Sequence, residues 1–345
     1  MTKTEWNQLL EILDGKQCSP LPMAFIIDSP WLPGWHGISI MDYYASDSHW
    51  LEANFNAIEA FPGLMFLPGF WSEFGMCTEP SAYGSKMVWD ENNLPHADKT
   101  IHSIEQIDDV KKPNVEKDGL LPFMIKRLLL HQETIQKKGH AIKFAIARGP
   151  LNIASFLMGT TEFLIALKTD AEKMHKFLSL ISDFTIDWIK YQIKSLPSIE
   201  GVLLLDDIVG FLGDGDFKEF VFPYLKSIYD RFDVPVKFFH NDAEGKVCAP
   251  YLSELGVNLF NFSHNHTLGE MRALVGEKVT LLGNIPPRDV LARGTGDDIK
   301  EALVSSLDSI DSKSRLILSC GGGMPPDVST ENLNSFIQAV KNLAE

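Results

Sequence analysis

The sequence predicts an α/β fold, a (β/α)8 TIM barrel with an N-terminal helical extension, built as a single domain over residues 1–345. Eight short apolar runs recur along the chain, and most are followed by a stretch with helical spacing. The runs are almost continuously apolar, as expected for parallel strands that are buried on both faces. Eight strand–helix units are the number in a TIM barrel. A doubly wound sheet is the alternative fold.

The elements follow in chain order. Residues 4–14 form an amphipathic helix with Trp6, Leu9 and Leu13 at helical spacing, and Gly15 ends it. The predicted strands cover residues 22–27, 63–67, 141–147, 201–205, 234–239, 257–262, 278–282 and 315–318. The predicted helices of the later units cover residues 120–137, 160–195, 216–232, 249–255, 268–275, 297–307 and 330–343. Residues 90–118 are charged and turn-prone, which indicates a surface excursion.

Composition excludes several classes of function. The net charge is -15 and the pI about 5.1, so the chain lacks the clustered Lys and Arg that bind nucleic acid or an anionic membrane. The first residues are polar and contain no hydrophobic signal core, so we expect a cytoplasmic protein with no membrane partner. The 4 cysteines show no CxxC spacing, so neither a disulfide framework nor a zinc ribbon is predicted.

A histidine and a carboxylate stand two residues apart where the fifth predicted strand ends. These are His240 and Asp242. Residues spaced by two point to the same face of a strand, so the two side chains can converge on one site. Imidazole and carboxylate together form either half of a metal site or an acid/base pair. The alternative is two polar residues that begin a loop.

Other strands also end in polar residues, where catalytic groups of a TIM barrel are found. These residues are Asp28, Arg148, Asp206, Asp207, His264, Asn284 and Cys320. Asp206 or Asp207 could orient a substrate, or each could cap the following helix. His264 and His266 also follow a strand, but we expect them to be histidines of a surface loop.

Cys320 stands at a strand end before three glycines, which leave room for a ligand. Strands five and eight face each other across a barrel, so Cys320 could meet His240 and Asp242 around one metal ion. Three protein ligands leave a fourth position open, as in catalytic zinc sites. The alternative for Cys320 is a small buried apolar residue.

Four segments resemble the uroporphyrinogen decarboxylase superfamily. They cover residues 149–159, 205–225, 283–287 and 323–332, and the resemblance extends from about residue 140 to the end. It implies a (β/α)8 barrel. The decarboxylases of this superfamily carry two arginines after the first strand, whereas the first arginine here is Arg127, and Asp28 would repel a carboxylated substrate. Their histidine in the last glycine-rich loop is also absent, with Gly322 near its place.

The chain resembles more closely the branch of methylcobalamin:coenzyme M methyltransferases and related corrinoid-dependent methyltransferases. Their zinc site is a His-X-Cys after the fifth strand and a Cys in the last glycine-rich loop. His240 matches the first ligand, Asp242 replaces the first Cys, and Cys320 precedes the expected second Cys. The resemblance implies a zinc ion at His240, Asp242 and Cys320. A carboxylate ligand makes the ion harder, which suits an oxygen substrate such as a methoxy compound or an alcohol.

The expected function is zinc-assisted methyl transfer between a small-molecule donor or acceptor and cobalamin, with Asp206, Asp207 and His240 as catalytic residues. No Asp-X-His-X-X-Gly corrinoid motif occurs, so a partner corrinoid protein would carry the cobalamin. One alternative is a metal-free carboxy-lyase that relies on Arg148 and Asp207. Another is a non-catalytic binding protein on the same barrel. The aromatic loop around Trp31 and Trp35 is either a surface for the partner or lid packing.

Overall fold

Parallel strands alternate with helices in residues 1–343, the part of the chain that the computed structural model describes. The strands are β1 (Ala24–Ile26), β2 (Met65–Leu67), β3 (Met87–Val88), β4 (His96–Ala97), β5 (Phe144–Arg148), β6 (Gly201–Leu205), β7 (Val236–Asn241), β8 (Leu259–Phe262), β9 (Thr280–Ile285) and β10 (Leu316–Cys320). Each of the eight predicted runs overlaps one of these strands, and β3 and β4 are additional. The predicted α/β class is confirmed.

Six strands form one parallel sheet in the order β10–β9–β8–β7–β6–β5. Strands β1 and β2 form a separate parallel pair, and a bridge between Met23 and Leu318 joins this pair to β10. Strands β3 and β4 pair antiparallel outside this set. Within residues 1–343, no strand pairing joins β2 to β5. The observed architecture is therefore a parallel sheet with a flanking parallel pair.

The register of the sheet aligns residues near the carboxyl ends of neighbouring strands. Leu205 of β6 lies opposite His240 of β7, and His240 lies opposite Asn261 of β8. Arg148 of β5 lies opposite Leu205 on the other side. The carboxyl ends of these four strands therefore meet at one edge of the sheet.

Helices follow most of the parallel strands. The α-helices are α1 (Lys3–Leu13), α2 (Leu32–His36), α3 (Ile40–Ala45), α4 (Asp47–Ala60), α5 (Thr78–Ala82), α6 (Leu121–Lys137), α7 (Pro150–Met158), α8 (Thr160–Thr169), α9 (Ala171–Ser195), α10 (Asp214–Phe220), α11 (Phe222–Tyr229), α12 (Leu268–Val275), α13 (Gly296–Asp308) and α14 (Thr330–Asn342). Short 3-10 turns cover Ile104–Asp109, Asp207–Phe211 and Ala249–Tyr251, and a π turn covers Pro287–Ala292.

The segment between β1 and β2 is more helical than the sequence predicts. A long loop is expected after β1, but α2, α3 and α4 lie there. Helix α4 buries Trp50 and Phe55, yet acidic and amide residues alternate with its apolar ones, which leaves little contrast between its two faces. Its start is marked instead by Ser46, whose hydroxyl accepts a hydrogen bond from the His49 amide.

Buried side chains divide into two clusters, because successive residues of a strand point to opposite faces. The inner cluster receives side chains from all eight parallel strands and from α1. The outer cluster lies between the strands and the surrounding helices. Each strand residue near the site therefore has a definite side, inner or outer.

Helix α1 covers the end at which the strands begin. The amino group of Met1 donates to the Ala141 carbonyl at 3.0 Å, just before β5. The Ser314 hydroxyl donates to the Gly15 carbonyl at 2.9 Å, just before β10. Helix α1 is the predicted N-terminal extension, and it leaves the opposite end of the strands for the site.

The described residues contain no single helix that is both long and apolar enough to cross a bilayer. Helices α7 and α8 pass that test only when taken together, and they are bent by 107° relative to each other.

Candidate active site

A cavity of about 610 Å³ opens at the carboxyl ends of the parallel strands. Its charged lining comes from four different strand ends and one loop: Asp28, Arg148, Asp207, His240, Asp242 and Arg288. Its apolar walls include Ile26, Trp71, Met76, Leu94, Leu205 and Met324. Enclosed sites with apolar walls and a few convergent polar groups are typical of small-molecule binding.

His240 is held in one orientation by Asn261. The Asn261 side-chain nitrogen donates to the Leu282 carbonyl at 2.9 Å and lies 3.4 Å from the Cys320 carbonyl. The Asn261 oxygen therefore faces Nδ1 of His240, at 2.8 Å. An amide oxygen only accepts, so Nδ1 carries a proton, and in the neutral imidazole the lone pair is therefore on Nε2.

Two carboxylates surround that lone pair. Nε2 of His240 lies 3.6 Å from an oxygen of Asp207 and 4.0 Å from an oxygen of Asp242. The Asp242 amide donates to the same Asp207 oxygen at 3.1 Å, which ties the two loops together. One ligand atom from each of the three residues lies within 4.8 Å of the others. The structure thus brings together His240 and Asp242, as predicted from their spacing, and adds Asp207.

Burial raises the pKa of the Asp207 carboxyl. The neighbouring His240 opposes this rise, and the negative charge of Asp242 adds to it. Two carboxylates that share a partly buried site repel each other unless a cation lies between them. The group has the electrostatics of a cation site.

Asp206 points away from this group. Leu203 and Leu205 belong to the inner cluster, so Asp207 continues that face and Asp206 lies on the opposite one. The two oxygens of Asp206 accept hydrogen bonds from the Leu151 amide (2.9 Å) and the Asn152 amide (3.0 Å) at the start of α7. Asp206 is therefore a capping residue, as in the alternative considered for it, but it caps α7, which precedes it in the chain, and not the following helix.

The structure does not bring Cys320 to the group. Leu316, Leu318 and Cys320 lie in the outer cluster, whereas Ile317 lies in the inner one. The Cys320 sulfur lies 3.6 Å from the carbonyls of Gly322 and Gly323. Burial raises the pKa of its thiol to about 12, so the thiol is protonated at neutral pH. In the described residues its environment is that of a small buried apolar side chain.

Arg148 reaches the inner face at the end of β5 but is already engaged. Its guanidinium donates to the Gly75 carbonyl at 3.0 Å and lies 3.4 Å from a Glu73 oxygen. Its backbone amide donates to Glu79 at 3.0 Å. Arg148, Glu73 and Glu79 are all buried, and Asp28 lies beside them in the cavity wall.

The aromatic loop packs inside the protein. Trp31 is 1% exposed, and its ring nitrogen donates to the Val328 carbonyl at 2.8 Å. The ring of Trp35 stacks on that of Trp31 with centroids 5.1 Å apart and also contacts Phe61. Of the two roles considered for this loop, the structure favours packing.

The remaining strand-end residues lie outside the group. His264 is exposed, whereas His266 is buried and contacts Glu244 at 2.6 Å. Asn284 donates to the His266 carbonyl. Asn284 therefore supports a loop, and the expectation of a surface loop fits His264 but not His266.

The donor set fits a divalent metal ion. Zinc binds histidine nitrogen and carboxylate oxygen, and ligand atoms around a tetrahedral zinc lie roughly 3.3 Å apart. Nε2 of His240 lies 3.6 and 4.0 Å from the two carboxylates, roughly 0.3 and 0.7 Å wider, and all three ligand atoms lie within 4.8 Å of one another. Asp207 and Asp242 are partly exposed, so their side chains can move by that amount. Three ligands would leave a position for substrate.

A family model described as uroporphyrinogen decarboxylase (URO-D) matches residues 9–343, nearly the whole chain. The chain belongs to the uroporphyrinogen decarboxylase family. The resemblance found in the later segments is thereby confirmed and extends to the first strands.

Relatives within the family share limited identity with the chain. A uroporphyrinogen decarboxylase from Pseudoalteromonas translucida is 24% identical over 279 residues, covering 76% of this chain and 75% of the relative. One from Danio rerio is 28% identical over 247 residues, covering 67% and 64%.

Solved structures show the same fold. A methyltransferase from Methanosarcina mazei aligns over 98% of both chains with a TM-score of 0.81 and 14% identity. A B12-independent methionine synthase from Shewanella sp. aligns over 94% of this chain and 97% of that one, with a TM-score of 0.59 and 12% identity.

Asn261 is not predicted from the sequence, and Asp207 is predicted as a catalytic residue but neither as a member of the metal group nor as distinct from Asp206. Asn261 lies in the middle of an apolar strand, where an amide is costly to bury without partners, and that cost is the signal that it has a role. Asp207 could have been separated from Asp206 by alternation along β6, the same rule that groups His240 with Asp242.

Proposed function

We propose that the chain is a corrinoid-dependent methyltransferase, which moves a methyl group between a small substrate and a cobalamin carried by a partner protein, with zinc assistance. The convergence of the free Nε2 of His240 with Asp207 and Asp242 in a cavity carries the proposal. The Methanosarcina mazei protein of similar fold, which is titled a methyltransferase, supports it.

We also infer that the eight parallel strands close into a barrel. One inner cluster receives side chains from all eight, as expected for strands that surround a common interior, and this supports the inference. The Met1 main chain bonds to Ala141 beside the seam between β2 and β5, where strand pairing is missing. The TM-score of 0.81 over 98% of both chains agrees with a complete barrel.

Asp207, His240 and Asp242 would hold the zinc ion. Bound zinc supplies Lewis-acid polarisation of a substrate atom in its open position. Asn261 keeps the Nε2 lone pair of His240 directed at the place between Asp207 and Asp242 where the ion would bind. Ile26, Trp71 and Leu205 form apolar walls that limit access of water. The two carboxylate ligands favour an oxygen atom of the substrate, as in an alcohol or a methoxy compound.

The cavity mouth is suited to a partner that delivers a cofactor. Met76 and Leu94 line the cavity and are 40% and 36% exposed, so apolar surface continues from the walls to the outside. Large exposed apolar side chains at a cavity rim are typical of interaction surfaces. The cobalamin supplied there would accept or donate the methyl group.

A carboxy-lyase acting on another carboxylated substrate is the second candidate, because the sequence relatives are named uroporphyrinogen decarboxylase. The geometry around Arg148 weighs against it. The guanidinium that would bind a substrate carboxylate is engaged by Glu73 and the Gly75 carbonyl, and Asp28 adds a further acidic group.

Metal analysis tests the proposal, with His240→Ala compared with Cys320→Ala. After incubation with zinc and removal of the excess, we expect near-stoichiometric zinc in the unmodified protein and in Cys320→Ala. We expect loss of zinc in His240→Ala, because the only nitrogen donor of the group is removed. Elemental analysis by plasma mass spectrometry measures the bound metal.

Zinc uptake that is absent in the unmodified protein, or unchanged in His240→Ala, would contradict the metal assignment. Methyl transfer is tested separately and in both directions by visible spectroscopy. Cob(I)alamin, kept reduced by titanium(III), should take the methyl group of a methoxy compound to give methylcobalamin and the free alcohol, and methylcobalamin should give its methyl group to an alcohol to form the methyl ether and cob(I)alamin. The zinc-loaded protein should support demethylation or methylation of the corrinoid, and His240→Ala should not. A decarboxylation without metal would support the lyase instead.

A further inference from the structure

A second polar cluster lies beside the same cavity, away from the proposed metal ligands, and two of its members, Asp28 and Arg148, line the cavity. It consists of Asp28, Glu73, Glu79 and Arg148, and we call it the Arg148 cluster. It sits at the carboxyl ends of β1 and β5 and in the segment after β2. Three acidic side chains share a single guanidinium there.

Two of the three carboxyl groups have protein partners. Glu73 accepts hydrogen bonds from the amide and the hydroxyl of Ser29 and faces Arg148. Glu79 accepts the Arg148 backbone amide through one oxygen. In the described residues, Nε of Arg148 contacts the Met76 sulfur, and Nη2 contacts Glu73 and the Gly75 carbonyl.

Of the three acidic side chains, Asp28 is the one that accepts no hydrogen bond from Arg148 in the described residues. Its Oδ1 is enclosed by the protein and has no hydrogen-bond partner within residues 1–343. Burial raises the pKa of Asp28 well above its usual range; Glu73 adds to this rise and Arg148 opposes it. Tyr43 and Tyr44 also lie close enough to sense its charge. Arg148 therefore acts on Asp28 through its charge, but the enclosed Oδ1 of Asp28 has no hydrogen-bond donor among the described residues, which is costly for a carboxyl oxygen away from water.

The cavity wall contains further donors, Asn92, Asn93 and Arg288, but none of them bonds to Oδ1 of Asp28 in the described residues. The other acidic groups of its wall, Asp207 and Asp242, add negative charge, and Arg288 is an exposed residue of the wall. A ligand with a carboxylate would meet acidic groups on two sides. A ligand with a cationic nitrogen would find at Asp28 an oxygen with no competing partner.

We propose that Asp28 binds the cationic nitrogen of the substrate, so that the substrate is a small amine. The identity of its other end rests on the proposed function: the zinc site with two carboxylates favours an oxygen atom, which makes an amino alcohol or amino ether the expected class. The cation site itself stands on the Arg148 cluster alone.

Three ligands of similar size and different charge test this inference. They are 2-methoxyethylamine, which is cationic at pH 7, the neutral 2-methoxyethanol and the anionic methoxyacetate. Ligand-observed NMR titrations of the unmodified protein should rank them cation first, neutral second and anion last. We expect at least about a tenfold preference for the cation over the neutral compound, as for a hydrogen-bonded charge pair out of water.

The variant Asp28→Asn tests whether Asp28 causes the preference for the cationic ligand, and Asp289→Asn is the matched control. The first keeps the shape of the side chain and removes its charge. The second makes the same chemical change at an exposed acid beside the cavity wall. The preference should fall to about threefold or less in Asp28→Asn and stay unchanged in Asp289→Asn.

The inference is overturned if the unmodified protein shows no preference for the cation, which includes the case that none of the three ligands binds. It is also overturned if Asp28→Asn keeps the preference. The ranking in the unmodified protein needs no variant, so a variant that fails to fold does not affect it. Titrations of metal-free and zinc-loaded protein separate the two proposals, because the preference should persist without zinc even if methyl transfer is never observed.

Discussion

At the scale of single residues, Asn261 determines what His240 can do. The amide of Asn261 is oriented by two main-chain carbonyls, and its oxygen then accepts the Nδ1 proton of His240. The free Nε2 lone pair is a consequence of this arrangement and does not depend on a metal. Metal-binding histidines commonly have such a partner for the other ring nitrogen.

Replacement of Asn261 by Ala should weaken zinc binding by about 10- to 100-fold, since the histidine loses the contact that sets its tautomer and ring orientation. Competition with a zinc chelator of known affinity measures the change. Asn258→Ala is the control, because the Asn258 side chain bonds to the main chain of Pro235 and Lys237, where β7 begins, and not to His240. Equal zinc affinity in Asn261→Ala and the unmodified protein would show that Asn261 has no positioning role.

At the scale of elements, the junction of β5 and α7 depends on a residue from β6. The N-cap of α7 is Gly149, which has no side chain to satisfy the first amides of the helix. Asp206, at the end of the neighbouring strand β6, accepts hydrogen bonds from two of these amides. A Cβ at position 149 would lie 2.2 Å from an Asp206 oxygen, so glycine there leaves space for the carboxylate.

Asp206→Ala should destabilise the metal-free protein by about 2 kcal/mol, because two buried amides at the start of α7 lose their acceptor. Urea denaturation followed by circular dichroism measures the free energy of unfolding. Asp207→Ala is the matched control, one residue away on the inner face, and should change that free energy by much less. If both variants lose the same stability, the capping role of Asp206 is not supported.

At the scale of the whole molecule, the two clusters decide which cysteines are chemically accessible. Cys77, Cys248 and Cys320 are fully buried, and burial raises the pKa of their thiols to about 11, 12 and 12. A raised thiol pKa lowers the thiolate fraction at any pH below it. At pH 8 that fraction is on the order of one in a thousand or less, and the thiolate is the reactive form.

We therefore expect that Cys18, which is partly exposed, reacts first with a thiol reagent at pH 8 in the folded protein. Mass spectrometry after alkylation with iodoacetamide should show a single rapid modification, which Cys18→Ser removes. All 4 cysteines should react after unfolding in urea. Rapid labelling of Cys320 in the folded protein would contradict the buried position described for it.

Side chains alternate between the inner and the outer face along each strand, and this rule assigns several of the site residues. His240 and Asp242 are grouped correctly from sequence because they are separated by two residues within one strand end. The same rule applied to Leu203 and Leu205 selects Asp207, and applied to Ile317 it excludes Cys320 from the inner face. These two assignments were within reach of the sequence, since alternation is a local property of the chain.

The sequence by itself determined the α/β class, the position of the eight parallel strands, the N-terminal helix and the pairing of His240 with Asp242. These depend on apolar runs and spacings that are local. Tertiary structure alone decided that Asn261 orients His240, that Asp206 caps α7 and that Arg148 is already engaged by Glu73. Each of these contacts joins residues more than 20 positions apart, and their meeting depends on strand register and loop packing, which no local pattern records.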